Sequence, residues 1–391
     1  MKQQEGQTQA GNAPQRIPGA AYVLTGCVGV IGANSLVLGP IAPAVSVSFH
    51  STVAGVMMAT AAFGLGAAFS SLFLAPRIDR FGAHRMLCLA MMLLPLVLLL
   101  AAAAPGVLVL VLAQFLAGLA SGVALPAVYA SAANMAPPGL ESKTIGVVLA
   151  GWTLGMVGGV SLSAIVADLT HWRVVYGLVA VLGFCVRFLL ARRAGVNEAP
   201  AAQSAPTPLS ALVLPGIKPL LFACCAFMVA FYGLYAYLGA YFHNGLGKPV
   251  SANSLITLMY SIGFASGIFT GARIVARVGV SRMLAIALFM VAASYMLMGA
   301  LGSSFTAMLM LLIALGFSNY FGINLLIVRL TSIDPTKRGT IMGLHSTVTN
   351  LAVFAGTGSF GLIYAQNGFA PIAYTAMACT LAAALTVTVA R

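Results

Sequence analysis

The sequence predicts an all-α polytopic membrane protein of twelve transmembrane helices, built as two six-helix repeats. Three observations carry that prediction. First, 61% of the 391 residues are hydrophobic and only 6% are charged, against roughly 25% charged in an ordinary soluble domain. A water-soluble fold could not cover its surface with so few charges, whereas lipid solvates an apolar surface directly. Second, apolar stretches reaching the ~20 residues needed to cross a bilayer core follow one another almost end to end. Third, a loop motif recurs half a chain apart.

Taken in order, residues 1–17 are polar and rich in Gln and Gly, and read as a cytoplasmic tail. No cleavable signal peptide is expected, because the first span is too long for a signal core. Spans are expected at 18–45, 51–75, 85–103, 106–135, 141–167 and 172–191, which make a first bundle over 18–191. Arg192-Arg193 then opens a stretch in which Pro200, Pro206, Pro208 and Pro215 lie among Ala, Ser and Gln. That composition predicts a flexible cytoplasmic linker at 192–216. A second bundle over 217–391 holds spans at 217–241, 251–274, 281–302, 305–331, 338–364 and 369–390.

Lysine and arginine set the orientation. With the N-terminus inside, all 19 of them except Arg173 and Lys248 fall on the inner side. The bias predicts cytoplasmic termini and an even number of spans. It also disposes of a nucleic-acid reading of the net charge of +13, since the charges lie in loops and not on one soluble face. The six cysteines, Cys27, Cys88, Cys185, Cys224, Cys225 and Cys379, all fall in apolar segments without metal-ligand spacing. They read as small packing residues, and no cofactor or metal is expected.

The repeat is visible in two loops. Arg80-Phe-Gly82-Ala-His-Arg85-Met86-Leu87 follows the second span, and Arg277-Val-Gly279-Val-Ser-Arg282-Met283-Leu284 follows the eighth. Thr144-Ile145 and Thr340-Ile341 echo each other at nearly the same interval. Tandem halves of this kind predict a pseudo-two-fold axis along the membrane normal and a cavity between the halves.

Four places in the chain carry a family likeness. They are Asp79-Arg80-Phe81-Gly82 with Arg85, and Gly151, Gly155, Gly158 and Gly159 followed by Trp172-Arg173. The others are the aromatic run from Phe231 to Leu238, and Arg338-Gly339-Thr340 leading into Asn350 and Gly356. On these residues the chain resembles, over essentially its whole length, the major facilitator superfamily. Within it, the likeness is to the twelve-helix drug:proton antiporter branch of drug, sugar, arabinose and purine exporters. The resemblance implies alternating access and efflux of a small organic molecule across an inner membrane, with a facilitative uniporter or importer of a metabolite as the alternative. It implies a gating role for Asp79, Arg80, Gly82 and Arg85 in the inner loop, and for Gly155 and Gly159, whose small size lets helices approach closely. Asp79 sits among Arg77, Arg80 and Arg85, and the inside rule needs no aspartate. A charge-assisted contact there would hold one conformation shut and break in the other.

The pattern departs from the family where proton coupling would reside. Asn34 stands where many exporters carry an acid, ahead of Gly39 and Pro43, and Gln114 stands where the antiporter motif has arginine, ahead of Gly118. No acid is placed near the middle of a span. Coupling to protons would then fall to His345, the histidine placed inside a span, whose ordinary pKa of about 6.5 suits proton exchange, or to Asp79 or Asp168 near a cavity mouth, the latter at the outer end of the fifth span. The alternative is an uncoupled facilitator.

Asn34, Gln114, Tyr232, Tyr235, Asn319, Asn324 and Asn350 are polar groups that lipid would penalise. They are expected either to line the central cavity as substrate ligands or to bond a neighbouring helix. A cavity without buried charge suits a neutral or weakly charged amphipathic substrate. The expected partners are that substrate, the lipid bilayer and, if transport is coupled, protons; the chain is expected to be a monomer. A membrane-embedded enzyme would need a nucleophile with its base, a metal cluster or a phosphate-binding loop, and none stands out in the sequence. A passive channel would need neither a two-half repeat nor a loop latch.

Overall fold

The structure is a computed structural model that describes residues 17–137, 140–192, 208–334 and 337–389. Residues 1–16 of the tail expected at 1–17, and 193–207 of the linker expected at 192–216, lie outside the described residues. Among the described residues, twelve helices are long and apolar enough to cross a membrane. The first six are Gly19–Leu36, Val53–Arg77, Ala83–Ala102, Val107–Ala132, Thr144–Leu169 and Trp172–Ala191. The last six are Ile217–Gly245, Val250–Val278, Val280–Leu301, Phe305–Thr331, Arg338–Asn367 and Phe369–Thr388. They fall within a few residues of the expected spans, apart from the first. Because consecutive helices alternate in direction, the end of the sixth span at Ala191 and the start of the seventh at Ile217 lie on one face of the bundle, the linker face. The loops near 50 and 247 lie on the opposite, distal face.

Two spans carry irregularities that hydropathy does not reveal. The first breaks at Val37 and continues as Leu38–Ser48. Pro40 and Pro43 lack an N–H, so the carbonyls of Leu36 and Gly39 lose their usual donors four residues on. Val37 itself keeps helical dihedrals, φ −61° and ψ −32°, and the chain carries on towards the distal face. In the fifth span Gly155–Val160 forms a π-helical turn. Three of its six residues are glycine, which holds an α-helix poorly and so accommodates the wider turn.

The repeat in the sequence is a repeat in conformation. The short helix Ile78–Phe81 stops at Gly82, with φ 88° and ψ 136°, and the eighth span stops at Gly279, with φ 86° and ψ 150°. That region of backbone space is essentially reserved for glycine. Packing repeats as well. In the first half, Gly118 of the fourth span meets the carbonyl of Phe63 and the amide of Ala67 in the second. In the second half, Gly316 of the tenth meets the carbonyl of Tyr260 and the amide of Phe264 in the eighth. Gly66 against Phe115 and Gly263 against Ile313 repeat the contact in the reverse sense. A side chain at any of these four would collide with a carbonyl oxygen. The spacing of the paired contacts matches that of the two loop motifs to within a residue.

The halves meet along three seams. The second span packs on the eleventh, the distal part of the fifth on the start of the eighth, and Leu38–Ser48 on the seventh. The fourth span, by contrast, packs within its own half against the first, second, third and fifth, and the tenth within the other against the seventh, eighth, ninth and eleventh.

Substituting Gly279→Ala is expected to cost about 1–3 kcal/mol through backbone strain alone, since nothing lies within 4 Å of a Cβ built there. Gly177→Ala makes the matched control. It is equally open to a Cβ but sits at ordinary helical dihedrals, where alanine is preferred. Thermal unfolding in detergent should fall for the first and hold or rise for the second; equal shifts would refute the conformational account.

Candidate functional site

A cavity lies between the halves. Its wall takes Ile31, Ser35, Phe63, Ala67, Ser71, Ser121, Gly122, Leu125 and Trp152 from the first half, and Tyr232, Ser346, Asn350 and Val353 from the second. Its empty volume is about 450 Å³, counting the part open to solvent. The wall is apolar and aromatic with a few hydroxyls and one amide, and none of its side chains ionises in the usual pH range.

The cavity is shut off on the distal side. There the carbonyl of Gly39, left without a helical donor by Pro43, comes within 2.7 Å of where a Cβ on Gly239 would stand. One residue further along, Asn253 Nδ2 donates to the carbonyl of Pro40 at 2.7 Å. Asn253 is fully buried, and its Oδ1 finds no partner. A bond of this length is well formed, while the orphaned acceptor carries a desolvation cost. On the linker side of the cavity Ser71 Oγ and Ser346 Oγ lie 3.5 Å apart. Arg173 sits at the distal end of the first half. It donates to the Ala104 carbonyl at 2.7 Å and lies over the Trp172 ring at 4.5 Å. That accounts structurally for the Trp-Arg pair.

The seven polar residues singled out in the sequence divide sharply. Tyr232 and Asn350 stand on the cavity wall. The other five make hydrogen bonds inside their own half. Asn34 and Gln114 exchange two bonds, Asn34 Nδ2 to Gln114 Oε1 at 3.3 Å and Gln114 Nε2 to Asn34 Oδ1 at 3.2 Å. Gln114 Nε2 also lies 3.1 Å from the hydroxyl of fully buried Tyr176. Tyr235 pairs with Thr257 at 2.9 Å, Asn319 donates to the Tyr260 hydroxyl at 3.3 Å, and Asn324 bonds the Tyr320 carbonyl at 2.8 Å.

Of the residues expected to gate, Gly82 takes the turn described above and Arg85 is exposed. The side chains of Asp79 and Arg80 lie outside the described part of the structure. Gly155 and Gly159 press against Gly29 and Ala33 of the first span, with Gly151 against Thr25. His345 is buried and off the cavity wall, although Ser346 next to it is on it. Asp168 is exposed at the distal end of the fifth span. Among the described residues, no group of three or more His, Cys, Asp or Glu could hold a metal ion.

Sequence reasoning passed over Trp152, Ser71, Ser121, Ser346 and Asn253. Trp152 carried a usable signal, as one of only two tryptophans set among the glycines of the fifth span. The serines carried none, because a serine that packs and a serine that lines a cavity look alike. Asn253 reads as an ordinary polar residue near a span end.

Comparison with known proteins agrees with this architecture. A profile of the Major Facilitator Superfamily matches residues 24–357. Among curated proteins, the chain is similar to the uncharacterized MFS-type transporter YwfA of Bacillus subtilis (strain 168). The two are 26% identical over 373 residues, covering 92% of this chain and 89% of the relative. It is also similar to the uncharacterized MFS-type transporter YceJ of the same organism, at 24% identity over 377 residues, covering 93% and 94%. Among solved structures, a bacterial homolog of the human lysosomal transporter Spinster, in an inward-facing and occupied conformation, superposes with a TM-score of 0.75. Identity there is 16% and coverage 97% of both chains, which is a likeness of fold.

The Asn34–Gln114–Tyr176 cluster generates a stability prediction. Gln114→Leu leaves the Asn34 amide and the Tyr176 hydroxyl unpaired, at about 1–3 kcal/mol for each buried group. Asn34→Leu with Gln114→Leu should be milder than the two single costs added together, because the pair is removed as a unit. Unfolding midpoints of the two singles and the double test this, and simple additivity would mean that the bonds do not couple the helices.

Proposed function

This chain belongs to the major facilitator superfamily and is a secondary transporter, and on that premise we propose that it exports a small uncharged organic molecule by alternating access. The observation that carries the proposal is the cavity itself. It lies between the two repeats, is walled by both, and is shut on one side by a short set of contacts. In the orientation expected from Lys and Arg, the linker face is cytoplasmic in an inner, plasma membrane, with both termini inside. The distal closure then faces outward, and the described conformation loads from the cytoplasm.

Several features support rocking of the halves against each other. Among the described residues, the side-chain hydrogen bonds crossing between halves are Asn253 to Pro40 and Ser71 to Ser346. The first holds the outer side, the second the inner. Closing the inner side would bring the fourth and tenth spans together there, and would engage the loop of Asp79, Arg80, Gly82 and Arg85 as the inner latch. Tyr232 and Asn350 are the substrate contacts that this reading retains from the sequence. Asn34, Gln114, Tyr235, Asn319 and Asn324 act by fixing the shape of each half.

A second reading, downhill facilitation, draws on a specific observation. At the two positions where exporters of this kind carry an acid and an arginine, this chain has a mutually bonded neutral pair. All six acids, moreover, lie outside the twelve spans or at the end of one. Proton coupling would rest on His345 or Asp168. Counterflow in proteoliposomes separates the readings. A carrier shows saturable uptake stimulated by substrate on the far side, whereas flux that never saturates would make it a channel. Export driven by proton exchange collapses with the pH gradient; indifference to that gradient leaves the facilitator.

Asn253→Ala tests the gate. It is expected to speed hydrogen exchange in Leu38–Ser48 and in the distal third of the seventh span, while the second–eleventh seam keeps its protection. Exchange that rises evenly through the molecule would reduce Asn253 to a stabilising contact.

A further inference from the structure

We propose that the cavity is a slot for an uncharged, planar aromatic ring, held between Trp152 of the first half and Tyr232 of the second. The proposal rests on the carrier reading and narrows it to a substrate class. The two side chains are on the same wall, one from each half, and each is braced from behind. The Trp152 indole lies against Gly32, where a Cβ would stand 3.4 Å from Cε3 and 3.5 Å from Cδ2. The Tyr232 ring is supported by Phe231, 5.1 Å away at 67°. Rings fixed in this way lose little freedom on binding, and a planar ligand gains offset or edge contacts from both. Since the rings belong to different halves, rocking of the halves would change their separation.

The polar groups on the wall set the charge and the edge of the ligand. None can balance an ion, so a charged ligand would be desolvated without a counter-charge. Two aromatic faces would attract a cation, yet no carboxylate stands on the wall to neutralise it. Ser35 Oγ already bonds the Gly32 carbonyl at 2.8 Å, and Asn350 Nδ2 bonds the Ser346 carbonyl at 3.0 Å. That leaves the Asn350 carbonyl oxygen as an acceptor. The Ser121 hydroxyl, 2% exposed, has no partner at all. A ring edge carrying an N–H beside a C=O, as in a lactam, satisfies both.

The test uses the full chain in detergent and four related probes. They are 2-quinolone (planar, uncharged, with a lactam edge), its fully saturated counterpart, the N-methylquinolinium cation and the quinoline-2-carboxylate anion. Calorimetry should show 2-quinolone binding at least about tenfold more tightly than the other three, equivalent to ~1.4 kcal/mol. Trp152→Ala and Tyr232→Ala should each weaken it about fivefold, with Tyr232→Phe largely retaining affinity. Trp152 and Trp172 are the only tryptophans, and Trp172 is buried at the distal end. Saturable quenching of fluorescence by 2-quinolone should therefore vanish in Trp152→Phe, while that variant still binds by calorimetry. The slot is overturned if the saturated or charged probes bind as well, if both alanine variants keep full affinity, or if the folded protein binds none of the four. Saturable counterflow of another solute in that last case would leave the carrier reading standing; its absence for every solute would remove both.

Discussion

Lipid gives two apolar helices no reason to prefer each other to an acyl chain, so this fold depends on how closely its helix backbones approach. The glycines show where that closeness is greatest. Within each half, a Cβ on Gly66, Gly118, Gly155, Gly263 or Gly316 would collide with a carbonyl oxygen of the facing helix. Between halves the closest approaches are somewhat longer: a Cβ on Gly64 would meet the backbone of Asn350 and Phe354 at 2.8 Å, and one on Gly239 would meet the Gly39 carbonyl at 2.7 Å. Each half is therefore bound more tightly to itself than to its partner, which is the ordering that two rigid bodies sharing a moving interface require.

Polar side chains follow from the same constraint. A polar group that lipid will not solvate must find a partner inside the protein, and most here find one within their own half. Asn34, Gln114 and Tyr176 tie the first, fourth and sixth spans together, while Asn319 and Tyr260 tie the tenth to the eighth. These bonds reinforce the glycine contacts and add nothing to the seams between halves. The seams instead carry Asn253 on one side and the Ser71–Ser346 pair on the other.

The twelve spans were legible because a bilayer demands about 20 apolar residues each time, and the loop motif predicted the repeat because Gly82 and Gly279 meet the same backbone requirement. The site was legible only in part. A polar residue in a span announces that it faces inward, but not whether a neighbouring helix or a cavity awaits it. Asn34 and Asn350 look alike in the sequence; one is bonded to Gln114 and the other stands on the wall, a difference decided by which helix lies opposite. Trp152 was passed over because an aromatic in an apolar span reads as packing, although its rarity and its glycine neighbours were a usable signal. The break at Val37 and the π-turn at Gly155–Val160 leave no mark on hydropathy, although the prolines and glycines that cause them are plain.

The neutrality of the interior bears on how transport would be driven. An acid and an arginine at the positions of Asn34 and Gln114 would exchange protons only if their pairing could break and one partner could reach water. A reciprocal amide pair has neither property: it carries no charge to titrate, and both members are almost wholly buried. It keeps the shape such a pair would enforce while removing its ability to respond to protonation. Any proton coupling would then have to act from the edges of the membrane, through Asp168 at the distal end or through His345 beside the cavity wall. His345 lies one residue from Ser346, which stands on the cavity wall, but is itself buried off that wall. In the proposed export cycle, an uncharged ligand would leave the concentration gradient as the simplest driving force.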